Sequence, residues 1–155
     1  MEVKTIVDEL REKGRVCVTE GSGKPVELIV PENFQDGDDP QAIFLLVDMF
    51  QIRALAGQFS EIALDIIEFA TKPTIYTSWA SDLLKNGPVY EGKVKFSILK
   101  KGLWNNLIFS FSRPLVVQRG KEEEAIGKVS EKFPIFQQEV KKLFLSAEGD
   151  VKIGE

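Results

Sequence analysis

The stretch from Ala42 to Ala56 constrains the fold most, since Asp48 and Arg53 are its only charges in fifteen residues. A segment so apolar must be covered on nearly every side. It is too short and too charged for a hydrocarbon core of about 30 Å, so its cover has to come from protein. Asp39 followed by Pro40 reads as an acidic cap with proline at the first helical position. The spacing therefore predicts a helix from Pro40 to Thr71, either bent near Gly57 or split into two packed helices. Phe59, Ile62, Ala63, Ile66 and Ala70 carry the stripe onward. On such a helix Asp48 and Arg53 stand about 140° apart, so each is expected to pair with another element.

Around this segment the pattern is mixed. Val3, Ile6, Val7 and Leu10 recur at helical spacing up to Gly14. Arg15 to Glu20 and Pro25 to Val30 read as strands joined by Gly21-Ser22-Gly23-Lys24. Pro31 to Asp39 reads as a loop, with its aspartates forming a turn and a cap rather than a calcium site. Thr74 to Thr77 reads as a buried strand, with helical turns from Ser78 to Lys85. Val94, Phe96 and Ile98 alternate with Lys93, Lys95 and Ser97. Leu107, Phe109 and Phe111 suggest the returning arm of a hairpin, with Trp104 at its turn. Pro114 breaks that arm, and Leu115 to Gln118 reads as an edge strand. Beyond Gly120 the expectation is helical, with a new helix starting at Pro134 and burying Phe136, Val140, Leu143 and Phe144.

The expected class is α+β: a mainly antiparallel sheet of hairpins with helices packed on one face, in the order α-β-β-α(α)-β-β-β-α. With 155 residues one domain is the natural reading, set at residues 1–146 with a polar tail over 147–155.

Function is less constrained. The chain has no histidine and one cysteine, which removes Ser–His and Cys–His catalysis, imidazole ligands and any intramolecular disulfide. Cys17, between Val16 and Val18, reads as a small buried residue. No cofactor or metal is expected. No signal peptide or membrane span is apparent, so a cytoplasmic location is expected. Charge is uneven: residues 1–85 hold 8 Lys and Arg against 15 Asp and Glu, whereas residues 92–121 hold 7 basic residues and no acid. That basic segment suits an acidic protein or an anionic small molecule. Nucleic acid is disfavoured there, because only Trp104 and Tyr90 would be free to stack on bases.

Two functions follow from these features. The first is a non-enzymatic interaction or assembly module, homodimeric through residues 40–70, whose apolar surplus exceeds what one helix face can bury. The alternative is a pocket for an anion, or a small histidine-independent enzyme, at a strand-to-helix junction over residues 74–82. Thr77, Ser78, Ser81 and Asp82 would line it, with Arg113 or Arg119 supplying positive charge.

Overall fold

The computed structural model describes residues 1–154. It is a mixed α+β fold built on one eight-stranded sheet, ordered β1-β2-β6-β3-β5-β4-β7-β8. The strands are β1 (Arg15–Thr19), β2 (Pro25–Ile29), β3 (Ile43–Leu46), β4 (Thr74–Trp79), β5 (Lys93–Ile98), β6 (Leu115–Arg119), β7 (Lys141–Leu145) and β8 (Val151–Ile153). The helices are α1 (Val3–Lys13), α2 (Glu61–Phe69) and α3 (Gly102–Phe111). Five strand pairs are antiparallel; β3 with β5 and β4 with β7 are parallel. The mainly antiparallel character is as expected, but the element order is not.

The largest correction falls on the apolar run. Ile43, Phe44, Leu45 and Leu46 are all buried, yet they form an interior strand, β3, held between β5 and β6. An interior strand with both faces covered needs apolar residues at every position, just as a buried helix does. Ile43 and Leu45 enter the core under α1 and α3, and Phe44 and Leu46 enter the core under α2. Ala42 to Leu46, Ile52, Leu55 and Ala56 are thus covered within the chain, while Phe50 stays 80% exposed. Asp39 caps no helix: its Oδ1 accepts from the Gln41 amide at 2.9 Å in a tight turn. Asp48 caps a short 3-10 turn over Met49–Ala54, accepting from the Gln51 amide at 3.2 Å. Neither Asp48 nor Arg53 joins an ion pair among the described residues.

Three further expectations are overturned. Residues 102–111 form helix α3, not a hairpin arm, because Trp104, Leu107, Ile108 and Phe111 make the buried stripe and Phe109 is exposed. Leu115–Arg119 is an interior strand, not an edge, inserted between β2 and β3. The C-terminal region holds a 3-10 turn at Pro134–Phe136 and then β7 and β8 rather than helices. Within residues 147–155, expected as a tail, Val151–Ile153 form β8, and residue 155 lies outside the described residues.

Helices lie on both faces of the sheet. α1 buries Ile6, Val7 and Leu10 against one face beside α3, and α2 buries Ala63 and Ile67 against the other. α1 ends at Gly14, whose φ of 81° lets its amide return to the Leu10 carbonyl at 2.9 Å.

Glu20 ties the ends of the fold together. Its buried carboxylate accepts from the Ser22 and Lys24 amides at 2.9 and 3.1 Å, from the Ser22 hydroxyl, and from the Phe133 amide at 2.7 Å. Burial raises its pKa, but these bonds outweigh burial and hold the carboxyl below its ordinary range. A second polar cluster joins Arg15 to Asp38, with Nη2–Oδ2 at 2.9 Å, and Gln118 to Glu27 at 2.7 Å. The Arg15 hydrogen bond holds the Asp38 carboxyl low, against the opposing effect of burial.

Candidate functional site: the uncovered half of the sheet

α1 and α3 cover only part of their sheet face. Residues paired across neighbouring strands point to the same side, so one row can be followed through the register: Leu28, Val117, Ile43, Lys95, Thr77, Phe144, Lys152. The row is apolar under the helices and turns cationic beyond Ile43. Lys93 pairs with Trp79 two residues along, on the same side, and Lys142 lies opposite Ile75.

Two adjoining depressions occupy this region, with volumes of about 200 and 360 Å³. They share Gln41, Ala42, Thr77 and Lys95. The smaller is walled by Pro88, Tyr90, Glu91 and Lys93; the larger extends to Arg119, Phe136 and Lys142. Together they form a groove carrying Lys93, Lys95, Lys142 and Arg119 against the acids Asp39 and Glu91.

The cations are held in place by their neighbours. Lys93 Nζ lies 5.0 Å from the Trp79 ring centre and 5.7 Å from that of Phe144, and the two rings meet edge to face at 6.3 Å. The Arg119 guanidinium sits 4.6 Å from the centre of Phe136. Lys95 Nζ donates to Gln41 Oε1 at 2.9 Å. Burial, followed by repulsion from Lys142, lowers the pKa of Lys95, and Asp39 opposes the shift. A depressed lysine pKa marks an ammonium short of countercharge, and an incoming anion would supply that charge.

Of the six residues expected at the site, Thr77 and Arg119 line this groove. The strand-to-helix junction does not exist, because β4 runs into turns rather than a helix. Ser78 faces the opposite side and donates to the Leu145 carbonyl at 2.7 Å in the core. Ser81 Oγ closes a turn by accepting from the Leu83 amide at 3.1 Å, and Asp82 is exposed. Arg113 is paired with Glu32 away from the groove. Trp104 is buried and unavailable for stacking; Trp79, unsingled in the sequence, is 53% exposed.

No family model and no curated protein matches the chain. Solved structures do. A variant of P. abyssi Sua5 superposes with a TM-score of 0.70 at 11% identity, covering 93% of this chain and 50% of that one. E. coli YciO gives 0.67 at 9% identity, covering 97% and 86%. Full-length HypF gives 0.67 at 12% identity, covering 98% of this chain but 28% of HypF. The chain shares the fold of these proteins. It spans half of Sua5 and a smaller part of HypF. Among the described residues no helix is long and apolar enough to cross a membrane, and no cluster of three or more acidic or thiol ligands could hold a metal ion. Cys17 is buried as expected, and burial raises its pKa.

Proposed function

We propose that the uncovered half of the sheet binds a small anionic ligand bearing a phosphate or carboxylate. The observation that carries this reading is the convergence of Lys93, Lys95, Lys142 and Arg119 on one groove beside the Thr77 hydroxyl. Cations gathered over a solvent-facing sheet repel one another, and an anion relieves that repulsion. The compared proteins support the reading by their ligands: HypF carries phosphate and nucleotide, and one P. abyssi Sua5 structure holds L-threonine. Tyr90 and Phe136, which line the groove, would offer apolar walls to any planar group on the ligand.

Calorimetry and thermal shift with inorganic phosphate, ATP and L-threonine test this. A ligand at 100 times its dissociation constant should add about 2.7 kcal/mol to stability. Lys95→Met and Lys142→Glu should each remove most of the gain. The proposal fails if none of these anions stabilises the protein at millimolar concentration, or if the two variants respond as the parent does.

A further inference from the structure

A second, larger cleft of about 790 Å³ opens where β4 begins and β5 ends, and it shares no residue with the cationic groove. One wall is the end of α2 with the segment leading to β4; the other is the first turn of α3 with residues 131–134. Its volume falls in the range of small-molecule sites, roughly 300–1,000 Å³.

The polar groups of these walls are already engaged with one another. Lys100 Nζ donates to the carbonyls of Ile67, Glu68 and Ala70, each at 2.8 Å, and so closes the C-terminal end of α2. Glu131 Oε2 accepts from the Leu103 amide at 2.9 Å at the start of α3. Trp104 Nε1 donates to the Lys132 carbonyl at 3.0 Å. What remains for a ligand is the apolar surface of Pro73, Ile98 and Pro134, with Tyr76, Leu99 and Trp104 buried beneath it. Phe69 stands at the mouth with 74% of its surface exposed.

The rim is charged, with Lys72, Lys100, Lys101 and Lys132 outnumbering Glu68 and Glu131. Lys72, Lys101 and Lys132 are exposed. None has an acidic partner within 4.0 Å among the described residues. A cleft with an apolar floor and unpaired ammonium groups at its edge complements a molecule that is apolar along its body and negative at one end. We propose that this cleft is a distinct site for an amphipathic anion, an aliphatic or aromatic body carrying a single carboxylate-type head. The body would lie over Pro73, Ile98 and Pro134, with the head among Lys72, Lys101 and Lys132. This inference does not depend on the groove on the uncovered sheet.

The test uses laurate below its micellar concentration, read by calorimetry and by Trp104 fluorescence in a Trp79→Phe background. Laurate should bind saturably and change Trp104 emission. The double variant Lys72→Glu/Lys132→Glu alters only exposed side chains, so it should keep the parent circular dichroism. It should weaken laurate by at least about tenfold, on the order of one lost charge-assisted contact. Lys95→Met, in the other groove, should leave laurate binding unchanged. Dodecyltrimethylammonium, with the same chain and the opposite charge, should bind at least about tenfold more weakly. Three results would each overturn the proposal: no saturable laurate binding, equal affinity for the cationic amphiphile, or a loss in Lys95→Met matching that in the rim variant.

Discussion

The two halves of one sheet face show how the same strand geometry serves opposite ends. Under α1 and α3, Leu28 and Val117 are removed from water; a few strands along the same row, Lys95 and Thr77 face solvent. The backbone differs little between them. What differs is whether a helix lies above, and the side chains have followed: valine, isoleucine and leucine where covered, lysine and threonine where bare. The proposed binding surface is thus the part of the sheet that the helices leave uncovered.

The sharpest way to break the comparison is to exchange characters across it. Leu28→Lys would bury an unpaired charge beneath the helices and should cost roughly 4 kcal/mol or more, enough to abolish cooperative unfolding at ambient temperature. Thr77→Leu, in the same row, should change stability by no more than about 0.5 kcal/mol in urea titrations. Comparable losses from the two would show that the bare half is packed after all.

Glu20 holds the covered half closed from its edge. Glu20→Ala would orphan the Phe133, Ser22 and Lys24 amides and should cost about 2–4 kcal/mol. Because Glu20 and Asp38 both titrate below the ordinary carboxylate range, the unfolded state takes up protons first as pH falls. The stability they supply is complete above the ordinary carboxylate pKa values and is lost as pH drops through the lower, folded ones. Stability of Asp38→Asn should decline less steeply with acid than that of the parent, measured by urea midpoints from pH 6 downwards.

The bare half carries the opposite titration. Lys95 is lowered in the folded state, so folding should gain stability as pH rises from its depressed pKa towards the ordinary lysine range. Anion affinity should fall over the same interval, and Lys95→Arg should abolish that fall while keeping binding. Calorimetry between pH 7 and 10 checks both. The smallest effect belongs to Ser97, buried beside Lys95 on β5 with a hydroxyl that finds no partner among the described residues. Ser97→Ala should leave stability unchanged or raise it by up to about 1 kcal/mol.

How much of this was legible in the sequence depended on whether periodicity was unambiguous. The alternation over residues 93–98 has one reading, and it correctly set Lys93 and Lys95 on the side opposite Phe96. α1 was equally clear. Ala42–Ala56 admitted two readings, because apolar residues at every position satisfy a buried helix and an interior strand alike; its Asp-Pro entry tipped the choice wrongly. For residues 102–111 the spacing of Trp104, Leu107, Ile108 and Phe111 already marked a helix, but the shorter series Leu107, Phe109, Phe111 imitated a strand. The groove was half visible. Lys93, Lys95 and Arg119 stood out within the basic segment, whereas Lys142 and Phe144 come from β7, a strand whose pairing with β4 no local pattern announces.

The insertion of β6 between β2 and β3 bears on how the chain acquires its shape. Strands 1 and 2 can form a hairpin with α1 early, but they cannot join β3 until residues 115–119 arrive to bridge them. The sheet therefore closes late, through contacts between segments distant in sequence, and topology of this kind places folding at the slow end, in milliseconds to seconds. During synthesis the exposed edges of β2 and β3 await a strand not yet made. A chain stopped after Ser112 would join the β1–β2 hairpin to β3 only through the packing of α1 on α3, and both β2 and β3 would expose an unpaired strand edge of the kind that leads to aggregation.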